Sequence, residues 1–309
     1  MDWSFATQAT TLALLVAAVL VTVLVRLLAR VRPGVDAPFL ARMAPFMPFA
    51  VRLHVGVSLI GLLSLGVYLS PAMDLEANVP GFALGATVAV AAVLLIAGWH
   101  TRAGAVLLLA AGPLGMLEFG VSPVLQRIDL LGLAVFVLLT GPGRWSADHE
   151  AGRATDPTAE QAARAVWALK LAAGLALIFV AFVEKLADPD LARAFLAHHA
   201  DLNVAQAIGL PLGDTEFTRL AGAIEVLFGL LLISGALPQA IILIAGIPFN
   251  ATLFFFGNTE LIGHLPIYGA MLVVLVYGSD PVLRPAVMAL WPWRVRRAAR
   301  RAARELATV

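Results

Sequence analysis

Nine apolar runs, near residues 9–28, 46–69, 82–99, 103–121, 123–140, 165–187, 217–236, 239–256 and 264–277, set the terms on which this chain can fold. A helix crossing the hydrocarbon layer of a bilayer takes roughly 20 apolar residues at 1.5 Å each. Backbone amides in lipid must find partners within their own segment, so runs of this kind fold as helices. Of the 309 residues, 61% are hydrophobic and 13% charged, where an average soluble domain carries roughly 25% charged residues. The sequence therefore predicts an all-α integral membrane protein with about nine transmembrane helices and no large soluble domain.

Charge placement gives the expected orientation. The first run is followed by Arg26, Arg30 and Arg32 and preceded only by Asp2. A cleaved leader carries its positive charges ahead of the apolar stretch, so this one reads as an uncleaved helix with its N-terminus outside. Alternating from that start, the inner segments hold 17 of the 21 Lys and Arg, and the outer ones hold Arg127, Lys185, Arg193 and Arg219. The tail VRRAARRAAR, residues 295–304, is the strongest anchor and places the C-terminus inside. The expected setting is a bacterial-type inner (plasma) membrane, crossed many times, with the lipid bilayer as the first partner. A net charge of +1 excludes a strongly basic nucleic-acid binder. The lack of cysteine excludes disulfides, thiolate metal sites and iron–sulfur clusters carried by this chain.

An internal repeat organises the nine segments. At an offset of 118, Arg52, Gly56, Ile60 and Pro71 fall on Lys170, Gly174, Ile178 and Pro189. At an offset of 137, Gly85, Gly98, Gly120, Gly132 and Gly141 fall on Gly222, Gly235, Gly257, Gly269 and Gly278. The sequence thus divides into an N-terminal helix and linker (1–43), a four-helix unit (44–143), an inner linker (144–163), a second four-helix unit (164–283) and a basic tail (284–309). The second unit carries 19 extra residues within the outer insertion 187–216. Because each unit has an even number of helices, the repeats are parallel and related by an axis along the membrane normal.

Three stretches carry a family resemblance. KLAAGLALIFVAFVEKL (170–186) starts basic, has an internal glycine and ends in Lys; GAIEVLFGLLLISGAL (222–237) sets an acid between glycines; GPGRWSAD (141–148) closes the first unit. Together they resemble the DoxX-like family of small four-helix membrane proteins, which includes the DoxD-type membrane subunit of thiosulfate:quinone oxidoreductase. The resemblance covers both units and implies four-helix bundles, an outward-facing polar site and a quinone-linked redox role with a redox partner. Glu184, Lys185 and Glu225 fall on Gly66, Val67 and Val88 of the first unit, so a site of the family's kind belongs to the second.

A charged group at membrane depth costs on the order of 2.5–3.5 kcal/mol, so each one asks for a partner or a role. Glu225 lies eight residues into its helix, about 12 Å deep, with Gly222 and Gly229 on its face to admit a neighbour. Glu184 and Lys185 end the fifth segment, Arg219 begins the sixth, and Glu260 and His264 flank the start of the ninth. These carboxylates, cations and an imidazole are what a proton-coupled quinone site needs, with Glu225, Glu260 and His264 as acid–base groups and Glu184, Lys185, Arg219 and Asn250 as ligand contacts. The insertion reads as short amphipathic helices over the site. Its adjacent His198 and His199 would point about 100° apart on a helix, which does not suit a metal. His54 and His100 could in principle approach one another and ligate haem, but each sits among ordinary interfacial residues and haem is not expected. No P-loop, dinucleotide fingerprint, HExxH or nucleophile elbow occurs. Two other function classes remain open at this stage: a non-catalytic anchor for a redox partner, and a small-solute transporter, for which Gly246, Pro248 and Asn250 are the nearest approach to a broken helix.

Overall fold

A computed structural model describes residues 3–291, and the basic stretch 295–304 lies outside the described residues. Among the described residues there is no β-sheet; the elements are helices. Seven helices are long and apolar enough to cross a membrane, and two more apolar helices, Ile128–Thr140 and Pro238–Ala251, are shorter. In chain order the main helices are α1 (Ala9–Val31), α2 (Met47–Ser64), α3 (Val79–Ala97), α4 (Thr101–Phe119), α5 (Ile128–Thr140), α6 (Ala159–Ala181), α7 (Pro189–His198), α8 (Asp214–Ser234) and α9 (Pro238–Ser279). Gly257, at φ 62° and ψ −137°, breaks α9 into an outgoing and a returning half.

Local chemistry fixes the ends. Asn78 caps α3 by accepting from the Gly81 N–H at 2.8 Å. Thr158 and Gln161 form a capping box at the start of α6. The apolar run 46–69 stops being helix at Ser64, because Gly66 adopts φ +76° and turns the chain. Val67, Tyr68 and Leu69 then pack, buried, as irregular loop, with the Tyr68 hydroxyl donating to the Ala111 carbonyl at 2.9 Å.

One end of the bundle is basic. Arg52 is fully buried and donates to the carbonyls of Pro142 (2.8 Å), Leu95 (2.6 Å), Ile96 (3.3 Å) and Trp145 (3.0 Å). Lys170, also buried, donates to the Ile233 carbonyl, and Arg26 of α1 donates to the adjacent Ser234 carbonyl at 2.8 Å. Ile96 and Ile233 are 137 residues apart, as Arg52 and Lys170 are 118 apart. Gly98 and Gly235 end α3 and α8 in the left-handed region at φ 63°, and a Cβ on either would stand 2.6 Å from Arg52 Nη1 or 3.2 Å from Lys170 Nζ. Glycine is needed there for both the backbone and the cation.

The same offsets relate contacts between the halves. The helix that closes each half packs on the helix that opens the other, α5 on α6 and α9 on α2. Gly132 of α5 lies against Ala172 of α6, and Gly269 of α9 lies against His54 of α2. α1 stands outside this arrangement and packs on α8, with Thr11, Ala18 and Ala29 as its buried residues. Most of its surface faces outward as apolar side chains, the pattern of a helix bathed in lipid.

Candidate functional site

The opposite end of the bundle collects carboxylates. α6 ends in a π-helical turn, Phe182–Leu186, closed by the Ala187 N–H donating to the Phe182 carbonyl at 2.7 Å. Such widened turns recur at functional sites because they re-aim side chains that a regular helix would place elsewhere. Here the turn carries Glu184 and Lys185. Lys185 Nζ lies 3.0 Å from Glu225 Oε1 and 4.0 Å from Glu184 Oε2. Gly222, one turn before Glu225, makes the approach possible: a Cβ there would stand 3.3 Å from Lys185 Cβ and nearer still to Leu186. Beneath this pair, Phe5 and Ala6 from the segment before α1 pack with Ala181, Leu186 and Val226.

α9 supplies the second part. His264 Nε2 lies 3.4 Å from Glu260 Oε1, one helical turn away. The imidazole meets the Phe249 ring edge-on at 5.1 Å and the Tyr268 ring at 6.3 Å. The Tyr268 hydroxyl donates to the Phe249 carbonyl at 3.1 Å, tying the returning half of α9 to the outgoing half.

The third part comes from the start of α5, in the other half of the chain. Arg127 Nε pairs with Asp129 Oδ1 at 3.3 Å, and these side chains are only 12% and 8% exposed. Both lie within electrostatic reach of His264, and Glu184 lies within reach of Glu260. The three parts therefore form one field. It contains four carboxyls, two permanent cations and one imidazole, so a neutral cluster requires protons beyond those on Arg127 and Lys185.

Among the described residues, four buried side-chain polar atoms have no hydrogen-bond partner: Arg127 Nη2, Glu225 Oε2, His264 Nδ1 and Thr218 Oγ1. Three belong to this cluster. The fourth, Thr218, lies seven residues from Glu225 and so on the same face of α8. Native proteins pair nearly all such atoms with protein or water, so their concentration in one place sets this cluster apart from the rest of the bundle.

The insertion lies over this end. Asp188 caps α7 by accepting from the Leu191 N–H, Leu196 is buried, and α7 packs on both the π-turn and α8. Asn203 donates to Asp214 Oδ1 at 2.9 Å and to the Leu212 carbonyl at 3.2 Å, fastening the far end of the insertion to the start of α8.

Two expected ligand contacts lie elsewhere. Arg219 turns away from Lys185 and toward α1, donating to Thr11 Oγ1 at 3.1 Å and Gln8 Oε1 at 2.7 Å with its guanidinium 4.6 Å from the centre of the Phe5 ring. It clamps one helix to another. Asn250 is exposed and donates to the Gly246 carbonyl at 2.7 Å on its own helix. His54 and His100 have separate surroundings: His54 Nδ1 contacts the Ala50 carbonyl at 2.7 Å, while the His100 ring packs on Trp99 at 4.8 Å. His198 Nδ1 contacts the Ala194 carbonyl and the His199 ring packs on Phe195. Among the described residues no three His, Asp or Glu side chains are grouped to hold a metal ion.

Arg127 and Asp129 are the residues that sequence reasoning left out of the site. The signal was present, since Arg127 stands 137 residues before His264; what was missing was that packing of one half on the other brings these repeat-equivalent positions within electrostatic reach. No protein-family model, curated protein or solved structure matches the chain.

Proposed function

We propose that the chain is a tandem DoxX-like protein of a bacterial-type inner membrane. In this reading it crosses nine times, N-terminus out and C-terminus in, and is associated with quinone-linked redox chemistry. The cluster at the acidic end binds a quinone or another small hydrophobic ligand near the outer leaflet. Lys185 donates to a ligand carbonyl, Glu225 exchanges a proton with it through the unpaired Oε2, and Glu260 and His264 pass protons to the outside. Electrons come from a redox partner or from the ligand itself, since the sequence has no cysteine and no recognisable electron-carrying cofactor motif. The observation that carries the reading is the half-buried pair of Lys185, on the π-turn, with Glu225, one carboxylate oxygen of which is buried and left without a partner. Ion pairs at membrane depth mark functional sites more often than structural ones.

The test is binding of a short-chain quinone to the purified full chain in nanodiscs, followed by tryptophan fluorescence. Glu225→Gln and Lys185→Met are each expected to weaken binding about tenfold, the usual cost of removing one charged hydrogen bond. Unchanged affinity in both variants would remove the site from quinone chemistry and leave the anchoring role.

A further inference from the structure

The basic end of the bundle holds a cavity of about 460 Å³, within the size range of small-ligand sites. It is lined by Arg26 of α1, by Pro33 and Asp36 of the linker, and by Pro281, Arg284 and Pro285 after α9. Arg284 opens the short helix Arg284–Val287 and is only 7% exposed. Its Nε–H donates to the Gly278 carbonyl at 2.6 Å, and its Nη2 donates to the Val35 carbonyl at 3.0 Å and to Asp36 Oδ1. A guanidinium has five N–H groups, so the two on Nη1 remain, with no partner among the described residues. Nη1 is not sealed in, since the enclosed unpaired atoms belong to other residues. The open space that Arg284 borders is this cavity.

Two permanent cations and one carboxylate line the same space, a sum of +1, and the carboxylate is already paired with Arg284. That sum complements the single negative charge of a phosphodiester and falls short of a phosphate monoester, which carries about −1.5 to −2 at pH 7. Guanidiniums are favoured partners of phosphate oxygens, and basic pockets between membrane helices take lipid headgroups. The cavity also has an apolar approach. Val23 and Val19, three and seven residues before Arg26 and so on its face of α1, are 49% and 50% exposed. They form a track from the cavity toward the middle of the bilayer. We propose that this cavity holds the phosphate of a singly charged diester, with a phospholipid headgroup as the source that the valine track favours. Arg284 donates to a phosphate oxygen through Nη1, and Arg26 adds its charge from the same wall without having to share that atom. The site is independent of the acidic cluster at the other end of the bundle.

The experiment is a calorimetric titration of the full chain in uncharged detergent. Three probes are used: dihexanoyl phosphatidylglycerol, dihexanoylglycerol, which lacks the phosphate, and glycerophosphoglycerol, which lacks the chains. Wild-type protein is expected to bind the phospholipid about tenfold more tightly than the diglyceride, and equal binding of those two overturns the proposal. Glycerophosphoglycerol identifies the source of the phosphate: weaker binding than the phospholipid assigns the site to a lipid, and equal binding assigns it to a soluble diester. Arg284→Gln is expected to abolish the preference for phosphate. Because Arg284 also fastens the linker, two variants of Pro285 carry the decision. Pro285 is an exposed residue of the cavity wall with no N–H to lose. Pro285→Glu is expected to weaken phospholipid binding about fivefold and Pro285→Lys to strengthen it by a similar factor, with the diglyceride unaffected. The same two substitutions at Ala151, exposed in the 144–163 linker and outside the cavity, should change neither. No difference between the Pro285 variants overturns the proposal. So does an equal difference at Ala151, which would leave only the general pull of a basic surface on an anion.

Discussion

The two halves of this chain solve the same packing problem with different residues. At the basic end, the first half gathers four carbonyls around one guanidinium, that of Arg52. The second half divides that work: Lys170 answers Ile233, and α1 reaches in with Arg26 to answer Ser234. A planar fork with five N–H groups satisfies several carbonyls from one position, and an ammonium on a flexible stem does not. The helix that stands outside the repeat thus supplies a cation where the second half has a lysine in place of an arginine. At the other end the difference runs the opposite way. Where the second half has Glu184, Lys185 and Glu225, the first has Gly66, Val67 and Val88, and Val67 and Val88 are buried there as ordinary core. One half is built for closure, and the other has kept its polar groups at the cost of needing α1.

The largest effect that can break this comparison comes from Arg52. Arg52→Met leaves four carbonyls without the buried guanidinium that donates to them and is expected to lower stability by on the order of 3–4 kcal/mol, read as the shift in the denaturant unfolding curve of the solubilised protein. Lys170→Met orphans one carbonyl while Arg26 still covers its neighbour, and about 1–2 kcal/mol is expected. Equal losses from the two substitutions would mean that the division of labour between Lys170 and Arg26 has no energetic content.

Arg219 sharpens the comparison at the acidic end. Its two hydrogen bonds to α1 and its contact with Phe5 predict that Arg219→Ala loosens α1 by about 1–2 kcal/mol, with a coupling to Gln8→Ala of roughly half that in a double-mutant cycle. Ligand affinity should stay within about twofold, because the guanidinium faces α1 and not Lys185. Loss of binding with α1 undisturbed would return Arg219 to the site.

Arg219 also shows where sequence reading ends. Its residue type and depth resemble those of Lys185, and its partners lie 208 and 211 residues away, a separation on which hydropathy is silent. Helix positions were legible because lipid forces each segment to close its own hydrogen bonds. The loop at 65–78 was not, because Val67, Tyr68 and Leu69 are as apolar as a helix would be and only the positive φ of Gly66 redirects them. The Lys185–Glu225 and Glu260–His264 pairs were readable from depth and i, i+4 spacing. Arg127 and Asp129 needed the packing of one half on the other, which periodicity within a segment does not encode.

The last effect separates the closing segments of the two halves. Asp148, which falls on Pro285 of the second half, accepts from the backbone N–H groups of His100 (3.1 Å) and Thr101 (2.9 Å), from the Thr101 hydroxyl and from Arg153. It caps the start of α4, where His100 stands in the left-handed region at φ 46°. Burial works against its charge, but the hydrogen bonds from Thr101, His100 and Arg153 outweigh it and hold the carboxyl below its ordinary value of 3.8. A depressed carboxyl stabilises the fold at every pH above its unfolded value, and that contribution disappears as the pH falls through the folded one. Asp148→Asn should therefore cost about 1–2 kcal/mol at pH 7, with wild type and variant converging as the pH is taken below about 4. The other titrating groups are shared by the two proteins and cancel in the difference. A gap that stays constant from pH 7 to pH 3 would assign the effect to the shape of the amide instead of the charge, and would leave the first half's closing segment no more dependent on an acid than the second's.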